Sequence, residues 1–112
     1  MKAFDCPAGL RIVVEALVEA TCPFTGAPDS YELEIEFVSK GKCVEAISLS
    51  RWLQSFRDQR ITQEELASII ARAIKDTVEP DYACVRLSGS HGGIAMTVES
   101  CVEGEASQIQ PM

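Results

Sequence analysis

The sequence predicts an α+β fold, an antiparallel sheet with two helices packed on one of its faces. Three observations predict it. Strand-like runs with apolar residues at roughly every second position occupy both ends of the chain, and a period of two sends alternate side chains to opposite faces of a sheet. Between these runs lie two stretches whose apolar residues recur at helical spacing. Pro- and Gly-rich segments separate the strands of each pair, as hairpin connections do.

Taken in order, Leu10 to Ala20 is rich in β-branched residues and roughly alternating. Tyr31-Glu32-Leu33-Glu34-Ile35-Glu36-Phe37 alternates strictly, which puts three glutamates on one face of the second strand. Leu49, Trp52, Leu53 and Phe56 fall at i, i+3, i+4 and i+7, the stripe of a short helix that breaks near Asp58 to Ile61. A second helix follows at once. Thr62 and Glu65 have capping-box spacing, and Leu66, Ile69, Ile70, Ala73 and Ile74 carry its apolar face until Pro80. Tyr82 to Ser88 and Ile94 to Ser100 then read as strands around Ser88-Gly89-Ser90-His91-Gly92-Gly93, a glycine-rich turn in which His91 is read as a turn residue. The order is β-β-α-α-β-β in one domain spanning 1–101. The polar, poorly patterned stretch 102–112 reads as a flexible C-terminal tail.

Composition narrows the function classes. No apolar run approaches the roughly 20 residues of a membrane span, and the first residues lack the apolar region of a signal peptide, so a cytoplasmic location is expected. A net charge of −7 argues against a generic nucleic-acid binder, because binding a polyanion relies on basic side chains that displace its counterions. An RNA partner needs a local basic patch, for which Lys40, Lys42, Arg51, Arg57 and Arg60 are the candidates. Cys6, Cys22, Cys43, Cys84 and Cys101 are odd in number and none is spaced CxxC, so neither a zinc ribbon nor a disulfide framework is indicated. Spacing selects no pair, Cys6 with Cys101 included, and Cys6, Cys43, Cys84 and Cys101 read as packing residues.

The segment Cys22-Pro23-Phe24-Thr25-Gly26-Ala27-Pro28-Asp29 carries the most chemistry. Its two prolines fix φ and Gly26 admits angles that other residues avoid, so the loop holds a thiol and a carboxylate in set positions between two strands. That is the arrangement of a nucleophile and its acid/base partner.

The string C-P-x-T-G-x-P-D, followed by a strand, then Val44-Glu45, Ser55-Phe56-Arg57, an acidic helix start and Gly92-Gly93-Ile94, resembles the 7-cyano-7-deazaguanine reductase (QueF) family from about Thr21 to Ser100. The resemblance implies the tunnelling fold, whose β-β-α-α-β-β unit agrees with the elements above. It also implies a homo-oligomeric barrel of pentamer rings, stacked as a decamer in some relatives, with active sites between subunits. It makes Cys22 the nucleophile that adds to the nitrile carbon as a thioimide, and Asp29 the proton shuttle. Glu45 and Glu64 become ligands of the guanine-like base edge, a task suited to carboxylates because they only accept hydrogen bonds. Ala46, Ile47 and Gln63, which occupy neighbouring motif positions, join them as substrate-binding candidates.

Departures from that pattern bear on the reaction. The reductases continue Val-Glu with two lysines associated with the phosphates of the nicotinamide cofactor, and here Ile47 and Ser50 stand in their places. Arg51 is one residue out of register, and Gln63 replaces the histidine that precedes the base-binding glutamate. With the octet retained and the lysines lost, the chain resembles the archaeal QueF-like enzymes. These are tRNA-modifying amidinotransferases that use ammonia to convert 7-cyano-7-deazaguanine in tRNA to archaeosine, a formamidine. The reading implies tRNA and ammonium as partners, no NADPH, no other cofactor and no metal. The alternatives are an NADPH-dependent nitrile reductase with a rearranged cofactor site and a non-catalytic purine-binding tunnelling-fold protein.

Overall fold

The computed structural model describes residues 1–103. In chain order the elements are β1 (Ala3–Asp5), β2 (Arg11–Thr21), β3 (Pro28–Val38), β4 (Lys42–Val44), α1 (Ala46–Gln54), α2 (Gln63–Val78), β5 (Tyr82–His91) and β6 (Ile94–Glu103). The four long strands form one antiparallel sheet in the order β2-β3-β5-β6, as the alternating patterns predict. Both predicted helices are present, and α2 starts on the predicted capping box: Thr62 Oγ1 accepts from the Glu65 backbone N–H at 3.1 Å. Its end lies at Glu79, left-handed at φ 51°, just before Pro80.

Two features differ from the sequence reading. The strands β1 and β4 pair as a separate two-stranded sheet that was not predicted, because three residues are too few to display a period. The last hairpin is also tighter than the glycine-rich stretch suggests. Ser88 to His91 continue β5, and only Gly92 (φ 56°) and Gly93 (φ 82°) turn the chain. Positive φ at both central residues matches the twist of the flanking strands, and glycine adopts it without strain. Strand β6 runs through Val102 to Glu103, and the rest of the expected tail lies outside the described residues.

The two sheet faces have opposite character. On one, Val18, Tyr31, Leu33, Ile35, Phe37, Ala83, Val85 and Leu87 pack under the helices, which contribute Leu49, Leu53, Leu66, Ile70 and Ile74. Each large side chain buried here stabilises the fold by about 1.5–3 kcal/mol relative to leaving it in water. On the other, strand register brings together Glu15, Glu19, Glu32, Glu34, Glu36, Glu99 and Glu103 with Arg11 and Arg86. Much of the negative charge therefore sits on the helix-free face.

The cysteines are paired, which corrects the sequence reading. Cys6 bonds Cys43 beside the small sheet, and Cys84 bonds Cys101 across β5 and β6 on the helix-free face. Cys22 is the free thiol. No described helix is long and apolar enough to cross a membrane.

Candidate active site

The loop between β2 and β3 is locked at both ends. Cys22 N–H donates to Ala27 O at 2.8 Å and Gly26 N–H returns to Cys22 O at 2.9 Å, with Gly26 at φ 76°. Thr21, the preceding residue, exchanges backbone hydrogen bonds with the linker between the helices, to Gln59 O at 2.9 Å and from Ile61 N–H at 3.1 Å. The thiol position is thus fixed jointly by the hairpin and the helix layer.

Cys22, Asp29, Tyr31, Gln63, Glu64 and His91 line one cavity of about 310 Å³, together with Pro23, Phe24, Thr25, Thr62 and Met96. That volume is at the lower end for small-ligand sites. The Cys22 pKa is held below its ordinary 9.0, chiefly by a hydrogen bond from the Thr25 hydroxyl and then by the backbone N–H groups of Thr25 and Phe24. Burial and the Asp29 charge oppose that shift. Donors aimed at sulfur stabilise the thiolate, the form that attacks carbon. Removing the main donor has a readable consequence. Thr25→Val is expected to move the midpoint of Cys22 alkylation by iodoacetamide upward toward 9.0, measured as rate against pH, and an unmoved midpoint would refute the role given to Thr25.

Asp29 is mostly enclosed, its side chain 15% exposed. Its Oδ2 accepts from Tyr31 Oη at 3.3 Å, and its Oδ1 lies 3.7 Å from His91 Nδ1. Burial, followed by the Asp29 charge, raises the Tyr31 pKa well above its usual range, so the phenol remains a donor. Glu64, in the first turn of α2, is exposed at the cavity wall. Gln63 is buried, and its side-chain amide is fully engaged: Nε2 donates to Leu87 O at 2.9 Å and Met96 O at 3.0 Å, while Oε1 meets His91 Nε2 at 2.9 Å.

The remaining candidates lie elsewhere in the chain. Glu45 caps α1, its carboxylate accepting from Ile47 N–H at 2.7 Å and Ser48 N–H at 2.8 Å, which lowers its pKa. With Ile47 it lines a second hollow alongside Met1, Lys2, Ser48, Arg51 and Trp52. Ala46 borders a third. Within a single chain, then, Cys22, Asp29, Glu64 and Gln63 come together, and Glu45, Ala46 and Ile47 do not join them.

The reading of His91 as a turn residue is corrected: it ends β5 and its imidazole enters the Cys22 cavity. The period of two carries the signal, since Leu87, Gly89 and His91 share the helix-covered face, but the glycine-rich composition obscured it. Tyr31 and Thr25 also belong to the site and were not singled out.

Comparison with known proteins bears on the family and the fold. The sequence profile described as "QueF-like protein" matches residues 28–107. The chain belongs to the QueF-like family. This QueF-like chain is 28% identical over 98 residues to an archaeosine synthase of Pyrobaculum calidifontis, covering 88% of each chain. It is 32% identical over 80 residues to an NADPH-dependent 7-cyano-7-deazaguanine reductase of Syntrophus aciditrophicus, spanning 70% of this chain but only 57% of that protein. A second reductase, from Frankia casuarinae, is 33% identical over 76% of this chain and 69% of its own. The crystal structure of an archaeosine synthase, QueF-Like in the apo form, superposes with a TM-score of 0.82 at 24% identity, covering 88% of this chain and 97% of that one. The likeness establishes the shared tunnelling fold.

Proposed function

We propose that this protein is a tRNA-modifying amidinotransferase that converts the nitrile of 7-cyano-7-deazaguanine in tRNA to the formamidine of archaeosine, with ammonia as nitrogen donor. The observation that carries the reading is the Cys22 thiol, its pKa lowered by hydrogen bonds from Thr25 and Phe24, in a small cavity with Asp29 and Glu64 on its walls. A nitrile carbon calls for a soft nucleophile and a proton for the nitrogen on which charge develops. Cys22 forms the C–S bond, the displaced π pair goes to nitrogen, and Asp29 delivers the proton to give a thioimide. Ammonia then adds to the same carbon and the C–S bond breaks, returning the thiolate. Glu64 accepts from the guanine-like edge, while Gln63 contributes to the wall beside it.

Glu45, with Ala46 and Ile47 next to it, serves a cavity of a neighbouring copy in this reading. Support comes from the sheet edges, where β2 and β6 leave unpaired backbone along their outer sides and expose Leu17, Val13 and Ile94. Such edges template pairing with another chain, and repeated pairing closes a ring. The charge objection to tRNA also weakens. Lys40 and Lys42 are each paired with a carboxylate, Asp81 and Glu79, which offsets part of the charge they would offer a phosphate. Arg60 has no ion pair among the described residues, and its guanidinium packs against Gly26 in the Cys22 loop, where it can take a phosphate. The reacting base must leave its stack to reach Cys22, and affinity for tRNA falls as salt rises.

Reduction is the competing reading, favoured by the names of the reductase relatives. The lost lysine positions, Ile47 and Ser50, weigh against it, although Lys2 and Arg51 line the hollow beside Ile47. Intact-protein mass spectrometry separates the two. Incubation with nitrile-bearing tRNA, or with the free base, is expected to yield an adduct on Cys22 that ammonium releases as the amidine and reduced nicotinamide cofactor leaves in place. Release as the aminomethyl base by that cofactor would establish the reductase instead.

A further inference from the structure

The hydrogen bonds around Gln63 fix where the proton sits on the chain's single histidine. Both acceptors of Gln63 Nε2, Leu87 O at 2.9 Å and Met96 O at 3.0 Å, are backbone carbonyls, which cannot donate. The amide nitrogen must therefore face the β5–β6 strands, and Oε1 must face His91 Nε2 at 2.9 Å. A carbonyl oxygen only accepts, so His91 Nε2 carries hydrogen. In neutral imidazole that leaves Nδ1 with a lone pair, directed at Asp29 Oδ1 3.7 Å away. Two acceptors face one another there. A proton between them would turn that contact from repulsive to attractive, and Tyr31 Oη on Asp29 Oδ2 keeps the carboxylate turned that way.

We infer that His91 is a positioning residue that acts through Asp29, the two holding a single exchangeable proton for the reaction proposed above. The inference rests on that reading of the function. The step starts from the form with Cys22 as thiolate, Asp29 as carboxylate and His91 bearing hydrogen on both nitrogens. When sulfur adds to the nitrile, the Nδ1 proton of His91 passes to Asp29 and on to the nitrile nitrogen, which leaves Asp29 as carboxylate and His91 neutral. Ammonium then loses one proton to the Asp29–His91 pair, becoming the ammonia that forms the new C–N bond. The C–S bond breaks, the thiolate departs and the product leaves as amidinium. Nitrile and ammonium give amidinium with no net proton, and the pair returns to its starting state. Beyond Asp29, the titratable groups facing His91 are Cys22 on the loop, Tyr31 on β3 and Glu64 on α2, while β6 offers only Met96 to this cavity.

Two measurements test the pair, the first independent of catalysis. Nitrogen-15 NMR of the intact protein reads one histidine, so assignment is immediate. The expected result is hydrogen on Nε2 in the neutral form and an Nδ1 resonance that shifts in Asp29→Asn. Hydrogen on Nδ1 in the neutral form, or an Nδ1 resonance indifferent to Asp29, overturns the inference. The second is single-turnover amidine formation by His91→Asn, expected to be slower by about 100-fold, with tRNA affinity little changed and the pH profile altered in shape. His91→Gly is expected to recover part of its rate with added imidazole. A His91→Asn profile of wild-type shape, or no recovery by imidazole, assigns His91 a packing role and overturns the inference. If the wild type forms no Cys22 adduct at all, the proposed function fails while the NMR result still reports on the proton.

Discussion

Cys22→Ala is expected to abolish the covalent adduct and to slow amidine formation by about 10⁴-fold or more, because the nucleophile is the one group that splits the reaction into two accessible steps. In the proposed mechanism, ammonia attacking the nitrile directly would keep the positioning by Glu64 and the proton delivered through Asp29, but would lose the thioimide. Affinity for tRNA is expected to stay within a few-fold, since Cys22 is half-buried and carries no basic group of its own to meet a phosphate. Stability is also expected to hold, as the loop is closed by backbone hydrogen bonds that the substitution leaves intact. Rapid-quench assays with the base analysed by mass spectrometry give the rate, and fluorescence anisotropy gives the affinity. Turnover within tenfold of wild type would sink the covalent mechanism.

Gly89→Ala is expected to be the most disruptive single-methyl change, destabilising the protein by about 1–3 kcal/mol. A Cβ at Gly89 would stand 2.6 Å from Tyr31 Cδ1 and 3.2 Å from the Ser30 carbonyl oxygen. The ring cannot swing away, because Tyr31 is only 2% exposed and packed in the core. Relief requires that β5 and β3 separate locally or that Tyr31 leave its place, and either loosens its hydrogen bond to Asp29. The unfolding temperature is therefore expected to fall by about 5 °C or more, with activity reduced in the folded fraction. The cause is testable by combination with Tyr31→Ala: once the ring is gone, the added methyl should cost much less. Equal costs in the two backgrounds would show that the clash is not the reason.

These effects fall on residues that differ in how visible they are in the sequence. Cys22 and Asp29 were legible because the prolines and glycine of their loop are local instructions, whose backbone consequences do not depend on distant contacts. The second helix was legible to the residue at its start, since Thr62 and Glu65 satisfy each other within one turn. Gly89 was read as part of a turn, whereas its requirement comes from Tyr31 on the neighbouring strand, more than fifty positions earlier. His91 was misread for the same reason. Its partners Gln63 and Asp29 belong to other elements, and only strand pairing brings them within reach.

The sequence by itself determined the order of the long elements, the face each buries, the N-cap of the second helix and the thiol–carboxylate loop. All of these follow from side-chain period and backbone preference over a few residues. Tertiary structure alone decided that Cys6 joins Cys43 and Cys84 joins Cys101. It also decided that the glutamates gather on the helix-free face, that Glu45 stands apart from Cys22, and that the His91 imidazole lies 3.7 Å from Asp29. Each of these joins or separates residues far apart in the chain, and their distance is set by sheet register and helix packing, which no short pattern of residues encodes.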